Sequence, residues 1–295
     1  MTRPPTFIKR QAAAPRGPQP IDAIETTCEG TWLLQALCGI EHLPGSMLLR
    51  PYVSASGRPT WHPGIPILRE AGAITEDDEV HPTVARWLEI LSAPDIALVV
   101  DVRRPGVECL RMVIARRDGK HAAISRGGPD AVNVTIEEVG SVPSMRVLFE
   151  RIMELCDRGF GPVAPAAFDP VTVRTAALLD GFNKIVQGDH TPAAALGSMD
   201  LTPEQRRILT LAADQPLMEA GFALQVHDAR GDHFALASAA VTDTVEGRIV
   251  TGPVVGEDRT WWTQIVPGTA DAGGSALRAL LATVGTTWEG HSRYK

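Results

Sequence analysis

The sequence predicts an α+β fold assembled from one half-domain that is present twice. Residues 81–157 and 202–284 show the same order of signals: a helix, four short strands and a second helix. Both copies open with a helix that starts at a proline, Pro82 or Pro203, and proline suits this position because its missing N–H would have no helical partner there. A unit of about eighty residues is too long for a solenoid repeat, so we interpret it as a duplicated half-domain. Chance similarity between two antiparallel stretches is the alternative.

The strands of each copy are predicted from their turns. Glycine, proline and aspartate separate runs rich in β-forming residues, and such turns need a positive or preset φ. The predicted strands are 96–102, 107–115, 120–126 and 131–138 in the first copy, and 221–227, 233–242, 248–254 and 260–266 in the second. Each copy closes with a helix whose apolar residues recur at helical spacing, from Met145 to Cys156 and from Leu277 to Val284.

Composition narrows the class of protein. The 295 residues carry a net charge of −7, which argues against nucleic-acid binding through a basic surface. No apolar run approaches the roughly 18 residues of a membrane span. The four cysteines form no CxxC pair and have no histidine at zinc-finger spacing, so we expect buried, reduced thiols in a cytoplasmic protein.

The domain organisation is predicted to be one domain made of two halves. Residues 1–20 are rich in proline and are interpreted as a disordered tail. The first half-domain then spans residues 21–165 and the second spans residues 166–295. A Gly- and Pro-rich connector at residues 158–165 separates the two copies.

No motif for catalysis or cofactor binding is present. The sequence has no GxSxG elbow, no Walker A motif, no HExxH and no dinucleotide fingerprint between a strand and a helix. His227 and His233, together with Asp228 and Asp232, could hold a metal, but an ordinary polar turn uses the same residues. We therefore predict no catalytic, cofactor-binding or metal-binding residue, and a binding protein rather than an enzyme.

One helix, predicted from Pro170 to Gln187, has a partly apolar outer face. Its core stripe is predicted to contain Leu178, Leu179, Phe182, Ile185 and Val186. Its outer side is predicted to carry Val173, Ala176, Ala177, Asp180, Asn183, Lys184 and Gln187. A modestly apolar outer face can receive another protein, although packing against a neighbouring helix explains it equally well.

Several short segments, in their order and spacing, resemble the EspG family of ESX secretion-associated chaperones from mycobacteria and related actinobacteria. They are EGTWLL at 29–34, LLRP at 48–51, HPTVARWL at 81–88, PD at 94–95, GRIV at 247–250 and IVPGT at 265–269. The resemblance extends from about residue 22 to about residue 290. It implies a central, mostly antiparallel sheet, two helical bundles and quasi-twofold symmetry.

The resemblance also implies a function without catalysis. Proteins of this family bind the tip of the PPE subunit of a PE–PPE heterodimer in the cytoplasm and keep it soluble for one ESX system. The family's contact uses the C-terminal helical bundle, here 170–187 with 191–213, and the loop between the second and third strands, here 103–107. The binding residues implied are Arg103, Arg104, Val107, Val173, Ala177, Asp180, Asn183, Lys184, Gln187 and Arg230.

Two other functions are compatible with the residues alone. One is a small-molecule-binding or enzymatic α+β protein, which would need a deep pocket between sheet and helices with convergent polar groups. The other is a structural homo-oligomer that uses the apolar helix face for self-association. A homodimer is also compatible with the chaperone function.

Overall fold

The structure is a computed structural model that describes residues 21–49, 62–105, 107–127, 132–188, 191–229 and 231–294. Its strands are β1 Ala23–Thr27, β2 Ile96–Arg104, β3 Val107–Arg117, β4 Lys120–Gly127, β5 Asn133–Glu138, β6 Val171–Arg174, β7 Met218–Asp228, β8 Gly231–Thr244, β9 Gly247–Val255 and β10 Trp261–Pro267. Its helices are α1 Cys28–Leu37, α2 Gly64–Glu70, α3 Pro82–Ser92, α4 Met145–Phe160, α5 Thr175–Val186, α6 Pro192–Ala195, α7 Pro203–Asp214 and α8 Ala270–Ala282.

All ten strands belong to one antiparallel sheet with the order β1-β5-β4-β3-β2-β7-β8-β9-β10-β6. The order on one side of the β2–β7 seam mirrors the order on the other side. Backbone hydrogen bonds also match: Asp95 N donates to Arg116 O at 2.8 Å before β2, and Leu217 N donates to Asp243 O at 2.7 Å before β7. The predicted α+β fold with duplicated halves is confirmed.

The helices cover the two faces of the sheet unequally. On one face, α4 and α8 pack together over alternate residues of the central strands, such as Val100 and Phe222. On the other face, α1–α3 pack over the first half around Ala97 and Ile124. On that same face α5–α7 pack over the second half, around Ile249. We call this second face the bundle face.

The helix starts follow from local chemistry. At α7 the Thr202 hydroxyl accepts a hydrogen bond from Gln205 N, and the Gln205 side chain accepts one from Thr202 N. This reciprocal capping box satisfies two backbone donors that have no helical partner. At α3 the His81 ring accepts from Thr83 N, and Pro82 takes the first helical position. Both proline-started helices are therefore placed as predicted.

The predicted helix from residue 170 is wrong in its first turn. Residues 171–174 instead form β6, an edge strand paired with β10, and α5 begins at Thr175. The Val173 side chain is consequently turned inward and is 7% exposed, so its predicted outward direction is wrong. The tail at residues 1–20 and Arg230 lie outside the described residues, and the boundary at residues 165 and 166 stays a prediction.

Candidate protein-binding surface

The outer side of α5 carries an apolar stripe. Leu179 is 57% exposed and Val186 is 76% exposed. The two residues lie seven positions apart, or about two helical turns, and therefore share one face of the helix. Phe182 is half-buried beside them and packs against the bundle core. Two exposed aliphatic side chains in a row on a well-anchored helix form a surface that can receive an apolar partner.

Polar residues border this stripe. Asp180, Asn183 and Gln187 lie on the exposed part of α5, as predicted from the helical wheel. Lys184 donates to Asp180, with 2.6 Å between Nζ and Oδ2, one turn apart on the helix. An exposed ion pair of this kind contributes little to stability. Charged groups beside an apolar contact can select partners by charge.

The buried side of α5 is set by a close approach to α6. A Cβ added at Gly181 would lie 3.2 Å from the carbonyl oxygen of Ala195 and 3.3 Å from Leu196 Cδ2. Leu178 and Ile185 flank Gly181 and are buried in the same core. The glycine therefore lets α6 approach, and this contact turns Leu179 and Val186 toward solvent. Ala177 lies at the border and is partly buried.

Arg103 is the second-last residue of β2, just before the turn to β3, and it lies on the bundle face of the sheet. Arg103 lies opposite Glu219, Glu219 lies opposite Thr242, and Thr242 lies opposite Ile249. Residues that are directly opposite on antiparallel strands point to the same face. Ile249 is buried under the C-terminal bundle, so Arg103 lies on the bundle face about three strand spacings, or roughly 14 Å, away. Arg103 also pairs with Asp101 at 3.1 Å.

Arg104 points the other way. As the next residue along β2, it lies on the α4 and α8 face, and its guanidinium carbon is 6.0 Å from the ring centroid of Phe160. The structure therefore places Arg103 on the same face of the sheet as the C-terminal bundle, without contact between them, and places Arg104 on the opposite face. Val107 begins β3 at the far side of the turn.

Sequence reasoning missed the apolar members of this surface. Leu179 and Val186 were predicted to be core, and they are exposed. Leu217 directly precedes β7 and lies two residues before Glu219, which is the residue opposite Arg103. Leu217 is also exposed. The signal that could have found Leu179 and Val186 is Gly181, because a glycine in a helix interior usually marks a close contact.

Two clefts among the described residues lie elsewhere. One of about 450 Å³ is lined by Trp32, Leu43, Leu48 and neighbours in the N-terminal half, and one of about 190 Å³ adjoins it near Leu91 and Asp232. Among their polar residues, Gln35 donates to the backbone oxygen of Glu41 at 2.8 Å. Nothing in these linings favours a catalytic site.

In the turn that contains His227 and Asp232, the histidine already contacts other side chains of the protein. His227 Nδ1 lies 2.6 Å from Asp232 Oδ1, and its Nε2 lies 3.2 Å from Arg293 Nη2. Both ring nitrogens are thus used within the protein. Within the described ranges, no three His, Cys, Asp or Glu side chains are grouped so that they could hold a metal ion. Among those same residues, no helix has the length and apolar character needed to cross a membrane.

Comparison with known proteins points to one family. A family model described as the EspG family matches residues 27–279. The ESX-2 secretion-associated protein EspG2 of Mycobacterium tuberculosis (strain H37Rv) is 26% identical over 281 residues, covering 92% of this chain and 99% of the relative. The ESX-5 secretion-associated protein EspG5 of Mycobacterium marinum is 28% identical, with 92% of this chain and 97% of the relative covered.

A solved structure has the same fold. It is the Mycobacterium tuberculosis type VII secretion system chaperone EspG5 in complex with a PE25–PPE41 dimer. The TM-score is 0.78 at 23% sequence identity, and the match covers 92% of this chain and all of the other. The mirrored sheet and its two bundles are therefore an architecture already seen in a solved protein.

Proposed function

This chain belongs to the EspG family, and we propose that it is a cytoplasmic chaperone that binds a PE–PPE heterodimer and directs it to an ESX type VII secretion system. The observation that carries the proposal is the family match over residues 27–279. The relatives named ESX-2 and ESX-5 secretion-associated proteins, and the EspG5 structure with its PE25–PPE41 dimer, support the class of client.

The chaperone would act by covering an apolar surface. An exposed apolar end on the PPE subunit is an aggregation hazard, and a bound partner removes that area from water. Binding to the folded client also stabilises it by mass action. This action needs no bond chemistry, and we propose that the protein is not an enzyme.

We propose that the client docks on α5 and on the nearby end of the sheet. The apolar contact would be made by Leu179 and Val186, which are exposed and lie in one stripe. The polar border would comprise Asp180, Asn183, Lys184 and Gln187, with Arg103 near the C-terminal end of the central strand β2. Val173 is withdrawn from the predicted contact set because its side chain is buried. Ala177 would contribute only at the border.

The test is co-expression with a PE–PPE pair encoded in the same genome, followed by affinity capture and size exclusion. The expected result is one complex that elutes together and increases the soluble yield of the pair. Leu179→Asp should weaken the complex by at least about 30-fold in Kd, because truncating or charging an apolar anchor costs about 2 kcal/mol or more. Leu37→Asp is the matched control, since Leu37 is an exposed leucine on α1 in the other bundle.

The outcomes separate the two parts of the proposal. If every PE–PPE pair of the genome fails to bind, the proposed function is wrong. If a pair binds and Leu179→Asp binds as tightly as Leu37→Asp, the function stands and the proposed surface on α5 is wrong.

A further inference from the structure

The segment that follows the last helix of each half packs on the other half. Residues 161–169 follow α4 of the first half and lie along β9 of the second, where Ala166 N donates to Arg248 O at 2.9 Å and Arg248 N donates to Ala164 O at 2.8 Å. Residues 286–293 follow α8 of the second half and lie on the first half, against the start of β2 and the end of β3. We call these segments the linker strap and the C-terminal strap. The duplicated halves are therefore tied together by two reciprocal straps.

Each strap is fixed by a pair of residues at the same position of a hairpin. Arg116 of β3 lies opposite His121 of β4, and Asp243 of β8 lies opposite Arg248 of β9. The two pairs are equivalent, because the carbonyl oxygens of Arg116 and Asp243 accept the matching hydrogen bonds that precede β2 and β7. All four residues are buried. The two straps thus have equivalent locks of different chemistry.

The lock of the linker strap consists of charged groups. Arg248 donates to both carboxylate oxygens of Asp243, at 2.7 and 2.9 Å, and to Asp157, which lies on α4 just before the strap, at 2.7 Å. Arginine and aspartate side chains keep their charges between about pH 5 and pH 8. This lock is therefore expected to hold across that range.

The C-terminal strap is attached through two histidine rings that accept hydrogen bonds. Trp288 of the strap, which is 3% exposed, donates from Nε1 to His121 Nε2 at 3.1 Å. Arg293 Nη2 of the strap lies 3.2 Å from His227 Nε2 on β7. Indole and guanidinium nitrogens carry only donors, so both imidazole nitrogens must accept and must be unprotonated. A proton on either ring therefore removes one attachment of the strap.

The surroundings of His121 favour its neutral form while the strap is closed. Burial has the largest effect and lowers the pKa of His121. Arg116 of β3 and Arg151 of α4 lower it further, and Glu289 of the strap, 3.8 Å from the ring, opposes them. The closed strap therefore disfavours a proton on this ring.

His227 lies between a carboxylate and a guanidinium. Asp232 Oδ1 of β8 lies 2.6 Å from Nδ1, and Arg293 of the strap occupies the side of Nε2. The other charged or titratable groups beside this ring are Asp95, Asp228, His233 and His291. A proton on Nε2 would replace the hydrogen bond with Arg293 by a contact between two cations, which repel each other. The closed strap therefore requires the neutral form of this ring as well.

We propose that the C-terminal strap is a pH-sensitive latch, which detaches from the first half on mild acidification while the linker strap and the sheet stay in place. An open strap exposes the two rings to water, where histidine has a pKa of about 6.5. The open state therefore takes up protons before the closed state as the pH falls, and the closed state loses stability from about pH 6.5 downward. Each histidine can favour opening by about tenfold between pH 7.5 and pH 5.5.

The latch is separate from the proposed client surface. It lies at the start of β2, whereas Arg103 lies near the other end of that strand. The proposal therefore does not rest on client binding.

The test is hydrogen–deuterium exchange of the full chain at pH 7.5 and pH 5.5, measured by mass spectrometry and corrected for the intrinsic exchange rate at each pH. Residues 286–293 should lose protection by about tenfold or more at pH 5.5. They include His291 N and Arg293 N, which donate in the closed strap at 3.1 and 3.3 Å. Residues 161–169 should keep their protection, as should β2 and β7. A C-terminal strap that stays protected at pH 5.5 would overturn the proposal, as would an equal loss in both straps.

A double substitution tests the two rings. His121→Gln combined with His227→Gln keeps an acceptor oxygen at each position but takes up no proton in this pH range. Residues 286–293 should then be equally protected at both pH values. His227→Gln alone, which leaves the Trp288 contact in place, should reduce the wild-type loss of protection by about tenfold. His42→Gln, at an exposed histidine, is the matched control and should keep the wild-type response. Variants at His121 and His227 that respond to pH as the wild type does would overturn the assignment of the latch to these rings.

Discussion

Val100 and Phe222 lie directly opposite each other where β2 pairs with β7. The register runs from Ile96 with Val226 to Arg103 with Glu219, so this pair borders the midpoint of the seam. Both side chains are buried on the face covered by α4 and α8, and Phe222 packs on Phe149 with ring centroids 6.0 Å apart. The junction between the two halves is therefore a hydrophobic core and not a flexible hinge.

Phe222→Ala should reduce the free energy of unfolding by about 3–5 kcal/mol, because it leaves a cavity at the junction of both halves. Urea denaturation followed by circular dichroism gives the value. Phe234→Ala, at a half-exposed phenylalanine, is the control and should cost much less. Equal losses for the two variants would contradict a continuous core across the seam.

Breaking the buried ion pairs of Arg248 should destabilise the protein far more than breaking an ion pair on its surface. Arg248 Nε and Nη2 donate to the two oxygens of Asp243 at 2.7 and 2.9 Å, and Nη2 also donates to Asp157 Oδ1 at 2.7 Å. Burial alone would lower the pKa of Arg248, but the hydrogen bonds to the two carboxylates outweigh it and raise the pKa. Arg248 is therefore charged inside the protein.

Asp243→Ala should cost about 3–5 kcal/mol of stability, because it leaves a buried cation with incomplete pairing. Asp180→Ala breaks the exposed pair with Lys184 and should cost less than about 1 kcal/mol. Both values come from urea denaturation. A loss for Asp243→Ala no larger than that for Asp180→Ala would show that the pairs of Arg248 add nothing to stability.

The strands of each repeat could be predicted from sequence because every hairpin carries its own turn residues. The turns at Asp118-Gly119 and at Glu246-Gly247 separate strands to within a few residues of the observed ends. The edge strand β6 depends on pairing with β10, far away in sequence. The four residues of β6 run directly into α5 without a turn, so local pattern could not separate them.

Which side of α5 is buried could not be predicted from the sequence pattern either. Apolar residues occupy more than half of its circumference, so periodicity alone does not determine which are buried. The contact with α6 at Gly181 decides this, and glycine contributes nothing to a hydrophobic pattern. The family resemblance located the bundle correctly in sequence. The exposed residues Leu179 and Val186 required the three-dimensional contact.

At acidic pH, protonation of His121 should weaken the hydrogen bond that holds the C-terminal segment at Trp288. Trp288 Nε1 donates to His121 Nε2 at 3.1 Å, so this nitrogen must be unprotonated. Desolvation by burial lowers the pKa of His121, the Glu289 carboxylate opposes this, and Arg116 and Arg151 reinforce it. The unfolded chain therefore takes up the proton first as the pH falls below about 6.5. Stability contributed by neutral His121 is lost from that pH downward.

Thermal unfolding at pH 7.5 and pH 5.5 tests this effect. His121→Gln should lower the unfolding temperature at pH 7.5 and make the difference between the two pH values smaller than in the wild type. His42→Gln, at an exposed histidine, should leave that difference unchanged. If His121→Gln retains the full pH dependence, the titrating group lies elsewhere.

Cys156 should be the least reactive of the three reduced cysteines Cys28, Cys38 and Cys156. Burial under the sheet raises its pKa to about 12, against a smaller opposing effect of the Arg248 charge. Since only the thiolate attacks an alkylating reagent, about one Cys156 in ten thousand is reactive at pH 8. Iodoacetamide should therefore modify the half-buried Cys28 and Cys38 first, and Cys156 only after urea unfolds the chain, as mapped by peptide mass spectrometry. Modification of Cys156 in the folded protein at the rate of Cys28 would mean that α4 separates from the sheet in solution.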